Sequence, residues 1–309
     1  MIAVVGGGLI GSAIAFTLSR AGAEVVVLDA EKPGAAWRAG AGMLTPTGER
    51  LAGTPLDALA RESLRLWPDF ARRLEAATGQ AVPLRWGVEH VGYGAAASLP
   101  SPATCRQDEA TTHPPSVVRA ARLGLDLRRA EVLGLEPLRA DVRLLTSAGA
   151  LTAEQVVLAA VAWSGRFGLP VFPVRGQALL LDSDGSAPLL ARYTAKGHTV
   201  SSAGFPLYGL PRPDGHYVGA TVRPHRWEAQ PLAADARWLG RAARGVWPES
   251  GRLTPRQALV GLRPCTPDGL PIVGPLPGWG GQVVAATGHG RHGAPLAPLA
   301  AQQVAQVLL

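Results

Sequence analysis

Residues 2–11 read Ile2-Ala3-Val4-Val5-Gly6-Gly7-Gly8-Leu9-Ile10-Gly11, and this stretch decides the fold. Four apolar residues in a row suit a strand buried on both faces. The glycines follow at once, and residues 12–21 carry Ile14 and Leu18 at helical spacing before Gly22 closes the run. A second β-branched run, 24–28, ends on Asp29. Strand, glycine turn, helix, strand and acid together make a dinucleotide-binding βαβ unit. Gly6 permits the tight turn, Gly8 lets main chain approach a pyrophosphate, and Gly11 lets helix and strand pack closely. The phosphates would rest on the unpaired N–H groups at the start of the helix. Asp29 would accept a ribose hydroxyl, which disfavours a 2′-phosphate and hence NADP.

Around this unit lies a chain of 309 residues, 47% hydrophobic and 17% charged, enough for about two domains with packed cores. Gly (38) and Pro (27) are frequent but show no three-residue period, which excludes a collagen-like chain. No apolar run is long enough to span a bilayer. The net charge of +7 raises the question of nucleic acid, but the cations are nearly all Arg, and only Lys32 and Lys196 are Lys. Their densest groups, around Arg119, Arg122, Arg128 and Arg129, are short, so no nucleic-acid partner is expected. Cys105 and Cys265 form no CxxC pair, which leaves no disulfide framework and no zinc site. Met1 leads directly into the first strand without a basic region or cleavage site, a pattern that predicts a cytoplasmic protein.

Periodicity predicts helices over 56–77, 116–122, 237–247 and from about 295 to 309. It predicts a strand and turn over 84–94 and strands near 124–135, 142–146, 155–160 and 283–287, with several more between 174 and 222. Residues 100–115 read as loop. A small-residue stretch, 33–42, follows the second strand and runs into Ala41-Gly42-Met43-Leu44-Thr45-Pro46. Such a run lets main chain approach a long ligand, as FAD requires; the alternative is a flexible surface loop. Near the other end, His289-Gly290-Arg291-His292-Gly293 joins a strand to a helix whose N–H groups face whatever that turn holds.

Residues 6–11, Asp29, 41–46, 159–164 and Gly261-Leu262-Arg263-Pro264-Cys265-Thr266-Pro267-Asp268-Gly269-Leu270-Pro271 resemble the D-amino-acid oxidase family of flavoproteins. Within it they are most similar to the glycine-oxidase branch of thiamine biosynthesis. The resemblance implies an α/β fold: a Rossmann-like FAD-binding domain of discontinuous segments (1–82, 115–175 and 256–309) and an α+β substrate domain on an antiparallel sheet (83–114 and 176–255). It places Leu9, Ile10, Asp29 and Ala30 along the adenosine half of FAD, and Ala41, Gly42 and Met43 near the flavin. Val132 would touch FAD through its backbone, and 289–293 would close over the flavin. Neither His289 nor His292 is expected to act as a base.

For substrate, the resemblance assigns Arg263 as the carboxylate-binding arginine, with Tyr208 reaching the same carboxylate. Val222 would line the pocket, and Arg291 would lie near both flavin and substrate. The implied reaction is oxidative deamination of glycine or a similar small amino acid or amine, with molecular oxygen as the electron acceptor. The alternatives are a flavin dehydrogenase with another acceptor, or a non-catalytic FAD-binding module. An NAD-linked dehydrogenase would leave 261–293 unexplained. Family members often associate, but no apolar stripe names an oligomer interface. Three departures stand out: Val161 where the family has glycine, Gly290 where it has an aromatic, and His292-Gly293-Ala294 where it has Asn-Gly-Ile. The chain is also short between about 95 and 115.

Overall fold

A computed structural model of the chain describes residues 1–90, 104–182, 190–192, 207–246 and 248–309. At its centre a six-stranded sheet runs in the spatial order Ile272–Pro275, Val283–Thr287, Gln155–Leu158, Ile2–Val5, Val25–Asp29, Asp126–Arg129. Neighbours are parallel except the first pair, which is antiparallel. The described α-helices are α1 (Leu9–Arg20), α2 (Pro55–Thr78), α3 (Pro114–Arg122), α4 (Ala233–Val246) and α5 (Gly293–Leu308).

Period-2 alternation explains why the central strands are apolar throughout. Ile2, Val4, Val25, Val27, Val157 and Val284 face a layer built from α1, α2, α3 and α5. Ala3, Val5, Val26, Leu28, Val156, Leu158 and Val283 face the other way. There they meet Val132, Val142 and Leu144 of a three-stranded antiparallel sheet, Val132–Pro137, Val142–Thr146 and Gly149–Ala153. With both faces covered, a polar residue in these strands would lose its water.

A second, antiparallel sheet is built on Phe172–Leu181, which pairs along its length with Pro255–Cys265 and elsewhere with Gly215–Gly219 and Arg223–Pro224. One face packs Leu179, Leu181 and Val218 against Leu239 and Ala243 of α4. The same face buries Arg175, whose Nη1 lies 2.9 Å from Asp235 on α4, both side chains being 1% exposed. Arg175 also donates to the carbonyls of Glu228 and Gln230, each at 2.8 Å, so every arm of the buried guanidinium has a partner. The opposite face of the sheet forms one wall of the candidate site.

Residues 104–112 depart from the loop reading. They form a strand, Thr104–Thr112, paired with Leu84–His90 and Met43–Leu44. Its run of Arg106, Gln107, Asp108 and Glu109 has no apolar alternation, and partner strands supply what local propensity lacks. The region read as one strand near 124–135 divides into Asp126–Arg129 and Val132–Pro137, in different sheets. Helix α1 begins at Leu9 and α4 at Ala233, earlier than the apolar spacing indicates. The turn end of 84–94, part of the shortened middle, part of 174–222 and Trp247 lie outside the described residues. The expected domain boundaries at 175/176 and 255/256 cut into Phe172–Leu181 and Pro255–Cys265, which pair with each other. We propose the same two domains with both strands kept in the antiparallel sheet. Among the described residues no helix is long and apolar enough to cross a membrane.

Candidate active site

The site begins where Ile2–Val5 turns into α1. Gly6 has φ +101°, and its N–H donates to the Leu28 carbonyl at 2.8 Å. A Cβ on Gly11 would lie 1.8 Å from the Gly6 carbonyl oxygen, so the first turn of α1 rests directly on the loop. Helix α1 has no side-chain cap and no acid in its first turn, which leaves its N–H groups for a ligand. Asp29 stands beside the loop, as the sequence predicts, but it is not alone. Its Oδ2 is paired with Arg122 of α3, and its Oδ1 accepts the Glu31 N–H at 2.9 Å. Arg122 Nε also donates to the Gly7 carbonyl at 2.8 Å, so one guanidinium fixes both acid and loop. The sequence offers no sign of this role for Arg122.

Two adjoining cavities open around the loop, of about 810 Å³ and about 70 Å³. Leu9, Ile10, Ala41, Gly42, Met43 and residues 289–293 line the larger one; Gly6, Asp29, Ala30 and Val132 line the smaller, and Gly8 lines both. The group expected along the adenosine half therefore divides, with Leu9 and Ile10 at the larger cavity. Gly11 lines neither and serves packing. Helix α5 also reaches the larger cavity with an N-terminus that has neither a side-chain cap nor an acid in its first turn. Two uncapped helix ends at one cavity favour negative charge, such as phosphate or the ring of a reduced flavin. With a cavity of about 810 Å³ bordered by the small residues Gly8, Ala41 and Gly42, this chain fits FAD.

In the turn before α5, the Gly290 N–H donates to the Pro264 carbonyl at 2.7 Å, tying the turn to Pro255–Cys265. His289 is buried, and burial, with His292 nearby, lowers its pKa to about 4, so it is neutral at pH 7. It lines the larger cavity, and its Nε2 has no hydrogen-bond partner among the described residues. Arg291 is held by the buried carboxylate of Glu49, with Nε 2.5 Å from Oε2, and His292 Nε2 lies 3.5 Å from the same oxygen. Glu49 is a cavity residue that sequence reasoning missed.

Burial lowers the pKa of His216 to about 4 as well. For both histidines the unfolded chain takes up the proton first, so their contribution is complete above pH 6.5 and is lost as pH falls towards 4. We expect the melting temperature to fall across that window. By pH 4 the stability lost through His289 alone is about 3 kcal/mol. His289→Gln should flatten the slope by about one proton; a flat melting profile in the parent protein would contradict the assignment.

Arg263, Tyr208 and Val222 all border the larger cavity. Arg263 sits opposite Val174 in the strand pairing, on the cavity face, and its guanidinium crosses Gly176. A Cβ on Gly176 would lie 2.1 Å from Arg263 Nη1, so that glycine creates the channel in which the cation lies. Arg263 Nη1 also donates to the Thr221 carbonyl at 3.3 Å. Tyr208 stacks on Tyr217, with centroids 5.9 Å apart and planes 9° apart. Tyr217 donates to the Ala39 carbonyl at 2.9 Å, and burial pushes its hydroxyl pKa well above the ordinary value. Gly176 and Tyr217 were not legible in the sequence.

A model of the FAD dependent oxidoreductase family, DAO, matches residues 1–110 and 103–307. A glycine oxidase of Pseudomonas aeruginosa is 30% identical over 99% of this chain and 94% of its own length. Among solved structures, a glycine oxidase from Geobacillus kaustophilus superposes with a TM-score of 0.87 at 26% identity, covering 99% of this chain and 93% of that one. An L-proline dehydrogenase from P. horikoshii shares the fold alone, at a TM-score of 0.81 and 17% identity, covering 99% and 92%. The glycine loop, the paired cavities and these matches agree: the chain belongs to the DAO family of FAD-dependent oxidoreductases.

Proposed function

We propose that this chain oxidises glycine or a similarly small amino acid or amine to the 2-oxo acid, ammonia and hydrogen peroxide, in the service of thiamine biosynthesis. The observation that carries this reading is Arg263, a cation in the wall of the cavity that both uncapped helix ends reach. Its planar fork suits a carboxylate, which it can bind through two parallel hydrogen bonds. Tyr208 reaches the same carboxylate and Val222 borders the substrate. Gly6, Gly8, Leu9, Ile10, Asp29, Ala30, 41–43, Val132 and 289–293 would surround the cofactor, with Gly11 packed beneath the loop. FAD held there would supply a hydride acceptor for the substrate Cα and a route for the two electrons to molecular oxygen. The protein's part is to clamp the carboxylate, hold Cα in place and keep water away. The substrate loses two electrons and two protons, oxygen gains both as peroxide, and water hydrolyses the released imine. Neutral His289 is given no role as a base.

Gly176→Ala tests the channel. The added methyl must push the guanidinium aside, and a displacement of about 1 Å is enough to cost roughly 100-fold in kcat/KM. Flavin content should stay at the parent level, because Gly176 lies in the strand Phe172–Leu181 and not in the glycine loop; unchanged kinetics would remove the channel from the account. For the reaction itself, peroxide is measured in air with glycine, sarcosine and D-alanine in turn. Peroxide with at least one of them supports the oxidase. Substrate consumption without peroxide assigns a dehydrogenase with another acceptor.

A further inference from the structure

The two cavities meet at a throat. Gly8, Trp37 and Val161 line both of them. A methyl on Gly8 would lie 3.4 Å from Trp37 Cδ1 and 3.7 Å from Val161 Cγ2, so an indole and an isopropyl group stand over the same glycine. Gly8 is the position at which main chain approaches a pyrophosphate. A dinucleotide extending from one cavity to the other must therefore pass Trp37 and Val161.

Neither wall gives way easily. Trp37 is flanked by two guanidinium groups, with Arg38 Cζ at 5.0 Å and Arg122 Cζ at 5.4 Å from its ring centroid. Arg122 is itself fixed to Gly7 and Asp29. Val161 has φ +54°, a left-handed conformation that a β-branched residue adopts only under strain. Its carbonyl accepts from Thr287 Oγ1 at 3.2 Å, and that hydroxyl is 2.8 Å from Ser164 Oγ. Ser164 and Thr287 are both buried, so a rigid pair of hydroxyls holds the strained turn in place.

We propose that Val161 limits cofactor binding in this chain: its side chain narrows the pyrophosphate passage opposite Trp37, and its strained backbone destabilises the apoprotein. The inference rests on FAD as the dinucleotide and is independent of which amine is oxidised. Glycine at 161 would remove both burdens, since it widens the throat and adopts φ > 0 without a steric cost. Alanine would remove the bulk and keep most of the backbone strain.

The test is titration of apoprotein with FAD, followed by quenching of flavin fluorescence, for the parent, Val161→Ala and Val161→Gly. The melting temperature of each apoprotein is measured beside it. Val161→Gly should bind FAD about tenfold more tightly or better and melt higher as apoprotein. Val161→Ala should also bind more tightly, with a smaller change in melting. Equal or weaker FAD affinity in both variants would overturn the proposal, and an unchanged apo melting temperature in Val161→Gly would overturn its strain half. If Val161→Gly does not fold, the strain half is likewise overturned, and the Val161→Ala affinity decides the throat. If parent and variants all fail to bind FAD, the cofactor reading falls, an outcome distinct from equal affinities.

Discussion

Gly11→Ala should yield a protein that is less stable and retains almost no flavin. The new Cβ would lie 1.8 Å from the Gly6 carbonyl oxygen and 3.0 Å from its carbon, and both are backbone atoms. Gly6 cannot retreat: its N–H is tied to Leu28, and its own Cβ position lies 2.4 Å from the Ala159 carbonyl oxygen. The helix must move instead, and with it Ile14 and Leu18, both fully buried against the sheet. Forcing one methyl into so tight a contact costs about 3 kcal/mol. For a chain of this size that is a fall of roughly 6 °C in melting temperature. The loop that should face the pyrophosphate moves with the helix, so FAD affinity should drop by about 100-fold or more. Melting curves and the ratio of flavin to protein absorbance check both parts. Parent values in each would show that the loop tolerates the methyl.

Arg263→Ala should keep its flavin and lose its substrate. Truncating one partner of a buried charge pair costs about 2–5 kcal/mol, so kcat/KM for the amino acid should fall by roughly 100-fold or more. KM should carry much of the change because the carboxylate loses its anchor, and kcat should fall too because Cα is no longer held in line. Arg263→Lys should restore charge without the two-pronged geometry and recover only part of the loss. Steady-state kinetics on flavin-normalised protein separate these outcomes. Kinetics equal to the parent would remove Arg263 from the substrate site.

The legible parts of this protein are those set by neighbours in sequence. The βαβ unit at the N-terminus declares itself because a buried strand, a glycine turn and a helix each impose a local pattern. Residues 289–293 give the same kind of signal as a turn between strand and helix, whereas 261–271 points to the second half of the site only through its family resemblance. What stayed hidden depends on register between distant segments. Arg122 meets Asp29, 93 residues away, and nothing in the composition of α3 marks it. Gly176 looks like any strand glycine until the pairing of Phe172–Leu181 with Pro255–Cys265 brings it beneath Arg263. Glu49 looks like a surface acid until the turn before α5 places Arg291 and His292 against it. The strand Thr104–Thr112 escaped for a related reason: its charged run has no period, and pairing alone makes it a strand.

The most direct test of the central claim is an anaerobic one. Glycine is added to the purified, flavin-loaded protein with oxygen excluded, and the visible flavin band is followed. The account predicts that the band bleaches and returns when air is admitted, with one peroxide formed per flavin reoxidised. A band that stays unchanged with glycine, sarcosine and D-alanine alike would contradict the account, leaving an FAD-binding fold without the proposed chemistry.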